Sequence, residues 1–155
     1  MDKFIRFLFI VFLLFSYSYS EAHTGKYIPC NKVYTDTSEH PLVKLMRQSA
    51  IDWNNGNLEA FMNLYADSAT MMTTQGLINK DSMIVDYRRS YFKDGKPEQQ
   101  LSFDQLQIQA LGEKYVLLTG RFILNGNNLP VQSGRFSLVC VLTKNGWKIL
   151  HDHTS

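Results

Sequence analysis

Hydrophobic and polar residues change rhythm for good near Lys96-Pro97: mainly helical spacing precedes it and strand-like spacing follows. Upstream, Leu42, Leu45, Met46, Ser49 and Trp53 fall on one face of a helix whose first turn suits Pro41. Asn54-Asn55-Gly56 predicts its end, because glycine takes the left-handed closing conformation at little cost. Asn57 is placed to cap a second helix, Leu58 to Tyr65, whose Phe61, Met62 and Tyr65 share a face and which Asp67-Ser68 breaks. Ala69 to Thr74 reads as a short strand. Asn79-Lys80-Asp81 then leads into a third helix from Ser82 to about Phe92, ended near Gly95.

Downstream, Leu106 to Ala110 alternates with period two inside a strand from Leu101 to Leu111, and Gly112-Glu113-Lys114 supplies the turn. Tyr115 to Leu124, Gln132 to Thr143 and Trp147 to Thr154 complete four strands. The last two are joined through Asn145-Gly146, a strong short-range hairpin signal. Three helices followed by an antiparallel meander make an α+β fold, with helices covering one face of a curved sheet. Val116, Leu117 and Leu118 are apolar on both parities, as are Phe136, Leu138, Val139, Val141 and Leu142. A sheet with one wet face alternates instead, so the outer face is expected to be covered, most simply by a second copy of the chain.

The chain's 155 residues allow one domain, preceded by a segment that reads as something else. Lys3 and Arg6 precede an unbroken apolar run, Phe7 to Phe15, and Ser18 and Ser20 suit the small-residue cleavage rule. Residues 1–20 are therefore expected to be a signal peptide, with a retained membrane anchor as the alternative, though the run is short for a bilayer span. Residues 21–37 read as an extended arm and 38–155 as the folded domain. The expected product is exported, periplasmic or secreted, with no membrane association after cleavage. Export allows a Cys30–Cys140 bridge, while a place inside an apolar strand suits Cys140 as a free thiol. A net charge of +2, with scattered Lys and Arg, argues against nucleic-acid binding. No phosphate-binding glycine loop, nucleophile elbow or paired-cysteine metal motif is present, and no cofactor is implied.

Asn55-Gly56-Asn57-Leu58-Glu59-Ala60-Phe61, followed by Leu64-Tyr65-Ala66-Asp67-Ser68-Ala69-Thr70, resembles the signature of the nuclear transport factor 2-like superfamily, which includes SnoaL-like cyclases and ketosteroid isomerases. The ending Gly146 to Ser155 is similar to the association domain of calcium/calmodulin-dependent kinase II and its stand-alone bacterial relatives, as are Tyr87 to Phe92 and Tyr115 to Thr119. The resemblance implies a cystatin-like cone: three N-terminal helices packed in a strongly curved, mainly antiparallel sheet around a pocket, dimeric through the sheet's outer face. The association domain's basic pocket positions correspond here to Leu117, Val139 and Thr154, so its arginines are absent. Arg121 and Arg135 share the parity of the first two and could supply positive charge from shifted positions. The isomerases' general base corresponds to Thr73 and their oxyanion-hole tyrosine to about Ser49, and neither replacement does the original work.

By the resemblance's register, Asp152 points inward with Lys148, Leu150 and Thr154, and Trp147, Ile149, His151 and His153 point outward. Asp152 beside Arg121 or Arg135 would be a buried pair able to orient a polar ligand or serve acid–base chemistry; a structural ion pair is the plainer reading. His151 and His153 share a face at metal-ligand spacing, but imidazoles at a subunit contact explain them more simply, and no metal site is expected. Tyr65 and Tyr91 end apolar helix faces, so their rings are expected at the cavity with hydroxyls at its polar rim. Met46, Met62, Met71 and Met72 read as fillers of irregular space. The expected ligand site is thus Tyr65, Tyr91, Arg121, Arg135, Asp152 and Thr154, holding a small apolar or aromatic molecule with a polar group. The alternatives are an isomerase, cyclase or hydratase with Asp152 as base and Arg135 or Tyr65 stabilising negative charge, and an oligomerisation or scaffold domain.

Overall fold

The computed structural model describes residues 33–34 and 40–155; the expected leader, most of the arm and Cys30 lie outside them. A two-residue strand, β1 (Val33–Tyr34), precedes helices α1 (Pro41–Asn54) and α2 (Leu58–Met62). Strands β2 (Tyr65–Thr73) and β3 (Gly76–Asn79), helix α3 (Lys80–Tyr91) and a small hairpin of β4 (Phe92–Lys93) and β5 (Lys96–Pro97) follow. The chain ends in four long strands, β6 (Gln100–Ala110), β7 (Tyr115–Asn125), β8 (Gln132–Thr143) and β9 (Gly146–Thr154). They form the expected antiparallel meander inside a seven-stranded sheet of order β1-β6-β7-β8-β9-β2-β3, in which β2 runs parallel to β9.

The helix ends obey the local chemistry. His40 caps α1, its Nδ1 accepting the Leu42 N–H at 3.2 Å, and Pro41 fills the first turn. At the other end Gly56, at φ +78, donates to the Trp53 carbonyl and Asn57 to that of Asp52, a glycine-closed terminus. The buried stripe of α1 is Leu42, Val43, Met46, Ser49, Ala50 and Trp53, whereas Leu45 lies at its edge, 37% exposed.

Two expected boundaries move. The second helix stops at Met62 rather than Tyr65, and Asp67-Ser68 lies inside β2, where the register with β9 shifts between Tyr65 and Thr70. Pairing to β9 overrides the local turn preference of Asp67-Ser68, and the shift accommodates them. The strands β3, β4 and β5 carry too few residues to show a period.

Besides the shift in β2, irregularities in β6 and β9 bend the sheet. In β6, Gln105 at φ 52 and Leu106 together oppose Gly120, between the Asp104–Arg121 and Gln107–Thr119 pairs. Gly120 makes room there: a Cβ would stand 2.5 Å from Phe136 Cζ and 2.7 Å from Leu106 Cδ2, so both side chains would have to move. An extra residue on one strand bends it and increases its twist. In β9, Leu150 is unpaired between the Val139–His151 and Cys140–Ile149 pairs, which reverses the strand's parity. Asp152 and Thr154 face the helices as expected, but Ile149 joins them, 1% exposed, and Trp147 packs on the same core. Ile149 and Trp147 therefore do not share the histidines' outer face, and Lys148 leaves the interior to donate to the Asn63 carbonyl.

Candidate functional site

Between helices and sheet lies a partly open cavity of about 630 Å³, counting its mouth. That is room for several waters or a compact organic molecule. Its walls are mainly aromatic. Trp53 of α1 packs against Phe61 (5.1 Å between ring centroids), Tyr87 (5.9 Å), Tyr91 (5.7 Å) and Phe92 (4.9 Å), and Phe103 meets Phe136 edge-on at 5.7 Å. Tilted and edge-on ring pairs fix one another's orientation around the hollow. Met46, Leu64, Leu101, Leu124, Leu138 and Ile149 complete the apolar lining.

One polar constellation interrupts it. Asp152, 3% exposed, accepts from the Tyr65 hydroxyl at Oδ2 (2.7 Å) and from the Thr154 hydroxyl at Oδ1 (2.7 Å). Three sequence-distant segments build this group: β9 supplies Asp152 and Thr154, β2 begins at Tyr65, and α3 brings Tyr87 against Tyr65. Burial raises the Asp152 carboxyl above its ordinary 3.8, opposed by the hydrogen bonds from Thr154 and Tyr65. Burial, then the negative charge of Asp152, holds Tyr65 well above 10.0 and also raises Tyr87, so both remain phenols able to donate. Cys140, on the inner face of β8, is a buried free thiol pushed up to about 12, mainly by burial and then by Asp152. It is a packing group with almost no thiolate.

Tyr65, Tyr91, Asp152 and Thr154 all line this cavity. Arg121 and Arg135 do not. Both occupy odd positions on β7 and β8, opposite each other in register, while the even positions Phe122 and Phe136 face inward. Arg121 is held on the outer face by Asp104, its Nε donating at 2.9 Å and a second guanidinium nitrogen pairing with the other carboxylate oxygen. Arg135 Nη1 donates to Gln105 Oε1 at 2.6 Å. The inward/outward alternation of a strand puts the sheet between these arginines and Asp152, so the expected buried pair does not exist.

Thr73, at the isomerases' base position, donates to the Gly76 carbonyl in the β2–β3 turn, whereas Ser49 lines the cavity with its hydroxyl returned to the Met46 carbonyl. His151 Nδ1 lies 2.9 Å from the Thr70 hydroxyl on the outer face, and His153 is exposed. Among the described residues no group of three His, Cys, Asp or Glu is placed to hold a metal ion. Sequence reasoning passed over Tyr87 as a site residue. Its signal was the spacing Met83, Tyr87, Tyr91 on one face of α3.

A mixed sheet bowed around three helices, hollow at the centre and carrying one buried carboxyl, defines a cone-shaped α+β protein of the cystatin-like type. The SnoaL-like domain profile matches residues 43–155, and the chain belongs to that family. A nuclear transport factor 2-like protein of unknown function from Shewanella oneidensis is 25% identical, with a TM-score of 0.64 over 74% of this chain and 95% of its own. A cystatin-like-fold protein from Nostoc punctiforme is 9% identical, with a TM-score of 0.60 over 73% of this chain and 86% of its own. A Xanthomonas campestris protein provisionally described as a calcium/calmodulin-dependent protein kinase II association domain is 15% identical, with a TM-score of 0.57 over 74% of this chain and 84% of its own. No curated protein matches the chain.

Proposed function

We propose that this chain binds a compact, largely apolar or aromatic molecule, with one hydrogen-bonding group set against Asp152 and Tyr65. The observation that carries the reading is the 2.7 Å Tyr65–Asp152 hydrogen bond facing an otherwise aromatic cavity. Convergent polar atoms in an apolar hollow give a ligand orientation as well as burial. A thermal-shift and calorimetry screen of small aromatic alcohols, ketones and amines tests it, using wild type, Tyr65→Phe and Arg121→Ala. Ligands are expected to lose about tenfold in affinity in Tyr65→Phe, the worth of one buried hydrogen bond, and to be indifferent to Arg121→Ala. Hits that ignore Tyr65 and depend on Arg121 would reject the site.

The second reading is an isomerase, cyclase or hydratase. It is favoured by burial raising Asp152 toward the range of a useful general base or acid; Tyr65, whose one proton goes to Asp152 here, would have to turn that proton to a developing oxyanion. Arg135, on the outer face, has no part in it. A pH–rate profile whose limb vanishes in Asp152→Asn would support catalysis. The proposal also keeps an exported homodimer: the apolar run Phe7 to Phe15 supports a leader, and Leu117 opposite Val139 on the outer face supports a covered sheet. N-terminal sequencing of the mature product tests the first, and light scattering separates a dimer from a monomer or a larger scaffold.

A further inference from the structure

We infer that the occupant of the aromatic cavity is an organic cation, an amine or ammonium on an apolar body, with its nitrogen against Asp152. The inference rests on the small-molecule reading above and names the ligand's charge. Its first support is the way Asp152 is solvated. Both carboxylate oxygens accept hydroxyl hydrogens, from Tyr65 and Thr154, a two-donor arrangement suited to an ionised acceptor. The second is the lack of a counter-ion inside the cavity: no Lys, Arg or His lines it, the ion pairs among the described residues engage Asp67, Glu59, Asp86 and Asp104 but not Asp152, and His151 and His153, whose charges act on Asp152, stand on the other face of β9. The third is the wall. Trp53, Phe61, Tyr87 and Tyr91 form a continuous set of rings reaching Tyr65, which lies 6.2 Å from Phe61, and ring faces attract cations while water is excluded.

A buried carboxylate without a charged group in contact with it is costly, and a ligand that brings one recovers that cost on binding. A neutral ligand leaves the charge uncompensated. An anionic one sets like charges together in a dry site. The arginines that could have welcomed an anion stand on the opposite side of the sheet.

Calorimetry near neutral pH with three probes of similar size tests this: 2-phenylethylamine, 2-phenylethanol and phenylacetate. The amine is expected to bind at least about tenfold more tightly than the alcohol, with phenylacetate weakest. In Asp152→Asn the amine's advantage over the alcohol is expected to disappear. Equal or tighter binding of the alcohol by wild type, or an amine preference that survives Asp152→Asn, overturns the inference and leaves the small-molecule cavity standing. Failure of all three probes to bind overturns both. Should Asp152→Asn not fold, Tyr65→Phe, which keeps the charge, must retain the amine preference, and amine-induced NMR shifts must centre on Asp152, Tyr65 and Thr154. Shifts confined to Arg121 and Arg135 refute it.

Discussion

Replacing Asp152 by Asn keeps the side chain's shape and removes only its ability to ionise, so the pH dependence of that change isolates one group. In the folded protein burial raises the carboxyl above 3.8, so the native state holds this proton more tightly than the unfolded chain does. The stability it contributes is complete below the unfolded value and is lost as pH rises through the folded one. The Asp152→Asn protein has no such proton to lose over that window. Whatever constant cost the amide incurs against the Tyr65 and Thr154 hydroxyls cancels when two pH values are compared. The difference in unfolding free energy, variant minus wild type, is therefore expected to climb from about pH 4 with a slope approaching, and never exceeding, about 1.4 kcal/mol per pH unit, the limit for one proton. It then levels off above the native pKa. Urea titrations of both proteins across pH 4 to 8 measure it. A flat difference refutes the claim that burial dominates at Asp152; a falling one means the two hydrogen bonds outweigh burial.

Trp53→Ala removes the hub of the ring cluster and its Nε1 hydrogen bond to the Gln99 carbonyl, and is expected to cost about 3–5 kcal/mol in urea unfolding. Gly120→Val crowds Phe136 and Leu106 at the β6 bulge and should cost at least about 1–3 kcal/mol by the same measurement; a neutral result would mean the sheet bends elsewhere. His40 caps α1 through an unprotonated Nδ1, and burial lowers its pKa from 6.5. Its contribution is thus full above about pH 6.5 and lost as pH falls below that. Wild type is expected to lose melting temperature relative to His40→Asn between pH 8 and 5, and a constant difference would rule the cap out as a pH-sensitive group.

Short-range chemistry was legible in the sequence. Pro41, Asn55-Gly56 and Asn57 bound their helices through local backbone geometry, and the alternation around Leu106 to Ala110 together with Asn145-Gly146 laid out the meander, because period two and turn dihedrals are properties of neighbouring residues. Tyr65, Tyr91, Asp152 and Thr154 were likewise recognisable as cavity residues, being polar-tipped groups in apolar segments. The partner of Asp152 was not. Choosing between Arg121, Arg135 and Tyr65 depends on which face each strand presents, and that is a register property shared between strands. A single unpaired residue, Leu150, turned Ile149 inward, and the pairing of β2 with β9 carried Tyr65 out of a helix and against the carboxyl. The sequence by itself determined the three helices, the four long strands, their order and the residue types available to the hollow. Only the tertiary structure decided that its carboxyl meets two hydroxyls rather than a guanidinium, because a charge finds its neighbour through contacts between strands far apart along the chain.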